Sequence, residues 1–215
     1  RAGKIPSTHK KIWAKLLINS PFIITDKAEI GFQNSRNLLG VPLLTSYPPK
    51  EEQWINFIRD NFQSPFKDKE YFTIFLNGLR DEYFEPDDYY DLLHLTLKCF
   101  ETRHKNSLII LKRHPRPYRN LEENKILERI LSEFSHLNIK FDSSPNFILS
   151  LYSKCNLTQN NGSIFIAHAM NENSYFLFLN NKNFKRVWGE DRSIDYYNLP
   201  KISTKGELIN KLDRL

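Results

Sequence analysis

Glycine is scarce in this chain, with seven in 215 residues. Neither a G-x-G-x-x-G fingerprint nor a phosphate-cradling G-x-x-x-x-G-K loop occurs, which disfavours nucleotide binding by either of these glycine devices. Cysteine is scarcer still. Cys99 and Cys155 are the only two, with no close C-x-x-C pair, so buried free thiols fit better than a disulfide or a zinc site, and a reducing compartment is implied. No apolar run approaches the roughly 18 residues of a membrane span, and no signal peptide is visible. The chain opens on Arg1 rather than Met, so an upstream segment remains open. Long blocks of one charge are also lacking. Thirty-one Lys and Arg are interspersed with 25 Asp and Glu for a net +6, which describes a solvated mixed surface better than a nucleic-acid arm. The sequons at Asn156 and Asn161 are matches that an Asn-rich chain makes by chance.

What is present is enough apolar material, 40% of residues, for a core in one or two domains. Residues 1–66 read as a partial unit and linker. They hold an amphipathic helix over 9–18, an apolar strand over 21–25, a short helix from Asp26 to Phe32, an extended run over 41–45, a proline turn and a helix over 51–62. The polar, proline-bearing stretch 64–70 marks the boundary, and 67–215 reads as one domain. There, strands at 71–76, 107–111, 139–142 and 175–179 alternate with helices at 87–100, 120–137, 144–155, 164–170 and 207–215, with a brief extended piece at 156–159. Both cysteines fall in the helical segments of this pattern. Such alternation predicts an α/β fold, a parallel Rossmann-like sheet flanked by helices, with every strand's carboxyl end along one edge.

Three constellations fall at that edge. Lys112-Arg113-His114-Pro115 closes the most apolar strand with two cations and an imidazole, groups that bind a phosphorylated or otherwise anionic ligand. A surface loop with a chance basic cluster fits the same residues. Asn161-Gly162-Ser163 leads into a short helix whose first amides and macrodipole favour phosphate. An ordinary helix cap explains Ser163 equally well. Asn77-Gly78 follows the domain's first strand, where glycine permits close approach of a ligand or simply a turn. Asn120 and Glu123 have the spacing of a capping box. The acids Glu82, Glu85, Asp87 and Asp88 suit a helix start better than a metal. His94, His104 and His136 lack metal-ligand spacing, and His168 reads first as a packing residue.

The order strand, Lys-x-His-Pro, long helix, short strand, helix and Gly-Ser turn resembles the carboxy-terminal, donor-binding domain of GT-B glycosyltransferases. It is most similar to bacterial sialyl-, polysialyl- and capsule-polysaccharide transferases. Lys112, His114, Pro115, Gly162 and Ser163 carry the likeness, which spans about residues 70 to 185. Ser163 stands alone where some members have two serines, and His168-Ala169 stands where an acidic residue precedes Ala.

The resemblance implies a nucleotide-sugar donor, with a cytidine-linked sugar suiting the His-Pro families. His114 would be the catalytic group. Lys112, Arg113, Asn77, Gly78, Asn161, Gly162 and Ser163 would hold the nucleotide phosphate. No metal or other cofactor is implied. A glycan or glycolipid acceptor, no specific nucleic acid, and a cytoplasmic site peripheral to the inner membrane surface complete the expectation. Residues 1–66 would be a remnant of the acceptor-side unit. The alternatives are a glycerol- or ribitol-phosphate transferase, a nucleotide-sugar epimerase, and a non-catalytic module of a polysaccharide-synthesis complex.

Overall fold

The structure, a computed structural model, describes residues 55–56, 59–67, 69–79, 85–114, 121–159, 163–179 and 200–215. The chain divides into two compact units, Arg1–Gln63 and Ser64–Leu215. The second unit carries the sheet, and the expected segments between residues 1 and 50 lie outside the described residues.

Six parallel strands form one sheet. In chain order these are β1 (Tyr71–Phe75), β2 (Leu108–Lys112), β3 (Asn138–Phe141), β4 (Asn156–Thr158), β5 (Ser174–Leu177) and β6 (Lys201–Ile202). Across the sheet the order is β3-β2-β1-β4-β5-β6. Among the described residues, five helices connect or follow them: α1 (Pro86–Arg103), α2 (Leu121–Glu133), α3 (Asn146–Tyr152), α4 (Ser163–Met170) and α5 (Lys205–Leu212). This is an α/β, Rossmann-like fold, as the alternation predicts.

Periodicity explains which helix covers which face. Successive strand side chains point to opposite faces. Phe72, Ile74 and Leu76 therefore join Ile109, Leu111, Leu157 and Leu177 beneath α1, α2 and α5. Tyr71 and Phe75 join Leu108 and Ile110 on the other face, against Leu149 of α3 and Ala167 of α4. β1 is buried at all five positions, which is why its sequence is a continuous apolar run rather than an alternating one. The register sets Phe75 beside Lys112 on one side and Thr158 on the other.

Element ends shift by a few residues from the sequence reading, and three differences have a clear physical cause. β6 was not foreseen. It is two residues long, too short for a strand signal, and exists because it pairs with Phe176 and Leu177. Cys155 lies outside any helix. The chain leaves α3 at Tyr152, and Ser153 Oγ donates to the Cys155 carbonyl at 2.7 Å and the Tyr71 carbonyl at 3.3 Å. Buried Asn156 then donates to the Ser150 carbonyl and Ser174 Oγ, which starts β4. α5 begins at Lys205, where Thr204 and Glu207 form a capping box.

Cys99 and Cys155 are both free and buried. Burial pushes both thiols up, opposed by Lys205 and Lys211 respectively. Neither thiol should react with an aromatic disulfide reagent in the folded protein, and both should titrate after unfolding in denaturant. Rapid labelling of Cys155 under native conditions would show that the start of β4 opens.

Candidate functional site

The sheet order creates one distinctive place. From β1 the chain builds outward through β2 to β3, then returns to the other side of β1 to build β4, β5 and β6. The crevice between the carboxyl ends of β1 and β4 is the switch point at which open α/β sheets bind ligands. Its floor is the β1 turn. The ladder continues past both strands, with the Leu76 amide donating to the Lys112 carbonyl at 2.9 Å and the Gln159 amide to the Phe75 carbonyl at 3.0 Å. Gly78 then adopts φ +80°, a left-handed conformation that side-chain-bearing residues enter only at a cost.

A buried acid holds that turn from the helix side. Glu123 of α2 is 6% exposed. One carboxylate oxygen accepts the Leu79 amide at 3.3 Å, and the other lies 3.5 Å from the Arg113 guanidinium. Arg113 also donates to Asn124 Oδ1 at 2.8 Å. Tyr89 is fully buried nearby, and burial first, then the Glu123 charge, pushes its phenol well above its ordinary value. Arg113, read from sequence as an anion-binding residue, is thus engaged by α2, because a buried carboxylate needs a counter-charge. Glu123, read from sequence as half of a capping box, holds the β1 turn, and Asn120, the other half of that reading, lies outside the described residues.

On the β4 side the turn meets a carboxamide. Gln159 Oε1 accepts the Asn77 amide at 3.1 Å. Gln159 is wholly buried and Asn77 is 3% exposed, yet Gln159 Nε2 and Asn77 Nδ2 have no hydrogen-bond partner among the described residues. An unmet buried donor costs about 1–3 kcal/mol. Gln159 was not singled out in the sequence. The signal that marks it is a long polar residue directly after a buried strand.

Lys112, His114 and Ser163 lie at the same edge. Lys112 ends β2 and is half-buried. Burial lowers its amine's pKa, opposed by Asp142 beyond β3. His114 follows, partly buried. Ser163 is the first residue of α4, and its hydroxyl accepts from Asn146 Nδ2 at 2.9 Å. Asn161 and Gly162 lie outside the described residues. Since β1, β2 and β4 are parallel, residues 77–78 and 112–114 lie at their carboxyl ends, and Ser163 follows β4 at the same edge.

Three further histidines meet carboxylates or a backbone carbonyl away from this edge. His136 pairs with Glu101 at 2.7 Å, His94 lies 3.8 Å from Glu133, and His104 Nε2 meets the Leu212 carbonyl at 2.9 Å. Among the described residues no group of three or more His, Cys, Asp or Glu could hold a metal ion. No described helix is long and apolar enough to cross a membrane.

No family model matches the sequence, and no curated protein matches it. Among solved structures, the chain is similar to the N-terminal domain of trehalose-6-phosphate phosphatase from Candida albicans, at 15% identity with a TM-score of 0.37. The match covers 90% of this chain but only 44% of that one. The chain therefore spans less than half the length of its structural neighbour. The sheet order, rather than this distant likeness, defines the fold.

Gly78→Ala places a Cβ 3.4 Å from Glu123 Oε2 in a left-handed conformation, and should cost roughly 1 kcal/mol by denaturant titration. Burial holds the His168 imidazole below its ordinary value, opposed by Glu172. The unfolded chain then binds that proton more readily, so its stabilisation is complete above the unfolded value and is lost as pH falls through the lower folded one. The urea midpoint should drop as pH falls below about 6.5, and drop less in His168→Asn.

Proposed function

We propose that the domain is the donor-binding half of a glycosyltransferase that moves a sugar from a nucleotide-sugar, cytidine-linked in its preferred form, to a glycan or glycolipid hydroxyl. One observation carries the reading: a basic, imidazole-bearing strand end and a serine-headed helix start flank a glycine turn at the switch point of a parallel sheet. Lys112 supplies positive charge and His114 a hydrogen-bonding imidazole on the β2 side. The Ser163 hydroxyl and the first amides of α4 supply donors on the β4 side.

In this reading the bond between the sugar and the nucleotide phosphate breaks as the acceptor oxygen attacks the sugar carbon. Negative charge grows on the departing phosphate. Donors already fixed around that position stabilise the transition state more than the ground state. Cationic side chains and helix amides then do what a divalent cation would otherwise do, so the reading requires no metal. Arg113, tied to Glu123 and Asn124, positions the segment that carries His114. The acceptor and its general base belong to a second surface, and the cytoplasmic face of a membrane is where glycolipid acceptors meet nucleotide-sugars.

Isothermal titration of cytidine and uridine nucleotides tests this directly. Cytidine monophosphate should bind, and His114→Ala should weaken it by about tenfold or more, the loss of one charge-assisted contact. Equal affinity in both proteins removes His114 from the site. Absence of binding by any nucleotide removes the transferase reading.

A further inference from the structure

The phosphate-directed groups leave part of the crevice unused. At the ends of β1 and β4 sit Asn77 and Gln159, both almost wholly buried, joined through the Asn77 amide and Gln159 Oε1. Their side-chain nitrogens, Nδ2 and Nε2, are closed to water and unmatched among the described residues. Native interiors rarely leave such donors unmet, and each exception calls for strain, a functional role, or a water or ion that meets it. These two lie at the carboxyl ends of adjacent strands at the switch point, beside a glycine turn with positive φ. The Gln159 oxygen is occupied by the Asn77 amide, which leaves Nε2 as the unmatched end of that carboxamide.

We propose that Gln159 is a ligand-binding residue, and that with Asn77 it forms a neutral donor pair for an uncharged oxygen of the nucleoside. This takes Asn77 out of the phosphate-binding set. The electrostatics favour the assignment. The Glu123 carboxylate reaches the same turn, 3.3 Å from the Leu79 amide and 3.4 Å from where a Gly78 Cβ would stand. A second anion placed against that turn would face its charge, offset on the far oxygen by Arg113 at 3.5 Å. A ring carbonyl or a sugar hydroxyl would not, and it accepts from both amides equally well. The pair thus gives the crevice a charged end for phosphate and a neutral end that rejects ligands lacking an oxygen acceptor. Such a site discriminates strongly, because the wrong ligand leaves buried donors unmet.

The inference rests on the nucleotide reading above, and a single set of titrations separates the two. Cytidine monophosphate and cytidine are titrated into wild type and Gln159→Met, cytidine by competition against the nucleotide. Gln159→Met should weaken both by the same factor of about ten, leaving their affinity ratio unchanged. A loss for the nucleotide but not for cytidine places phosphate on the amides and overturns the inference. Unchanged affinity for both, with unchanged melting, assigns the unmet nitrogens to internal water and also overturns it, while the nucleotide reading stands. Wild type that binds neither compound sinks both. Should Gln159→Met fold poorly, Gln159→Glu keeps the oxygen that accepts the Asn77 amide and replaces only the donor. It should lose at least as much, and equal binding overturns the inference. Dideoxycytidine monophosphate identifies the oxygen. A loss that persists in Gln159→Met points to the ring carbonyl, and a loss that vanishes points to a sugar hydroxyl.

Discussion

β1 is hydrogen-bonded on both sides and buried on both faces, and everything at the carboxyl edge is hung from it. Its two ladders bring Lys112 and Thr158 level with Phe75. That register decides which residues can meet across the crevice: the segment after β2 on one side, Gln159 and α4 on the other. A one-residue slip would exchange the two faces of the strand. Phe72 and Ile74 would then leave the cover of α1 and α2, while the β1 turn would lose its alignment with Gln159. Core packing and site geometry are therefore one constraint, enforced by the same five residues.

A second dependence is electrostatic. Glu123 lies far enough inside to need partners, and it has them in Arg113 and the Leu79 amide. Through that one side chain α2 is connected to the segment after β2 and to the turn after β1. The arrangement keeps the β1 turn from relaxing toward the right-handed region that most residues prefer. It also leaves Lys112 and His114, rather than Arg113, as the strand-end groups that the proposed phosphate site uses. One buried acid thus shapes the turn and sorts the neighbouring cations.

Much of the fold was legible in the sequence because its strands are short apolar runs and its helices have strong faces. Residues 71–76 and 107–111 read as buried strands, and Ile126, Leu127 and Ile130 as a helix face, since each obeys a period the eye can count. What failed to show has a physical reason in each case. β6 exists only through pairing with β5. The helical period through Cys155 was broken by Ser153 and Asn156, whose side chains bond to distant backbone. At the edge, Gly78 and the basic strand end could be found because turns and charges leave local signatures. Glu123 and Gln159 could not be assigned to the crevice, because their partners Leu79 and Asn77 are 44 and 82 residues away. Spacing along a chain announces a cap more readily than a tertiary contact.

That long separation bears on how the molecule assembles. β1 can pair with β2 once α1 has formed, but its other flank stays vacant until β4 has been made, and its carboxyl end is closed last by residue 159. Parallel pairings of this kind carry high contact order and slow the search for the native topology. Through synthesis and refolding the central strand therefore keeps one row of amides and carbonyls open, a ready template for the wrong neighbour. The switch point that makes a crevice for a ligand is, during folding, the weakest seam of the sheet.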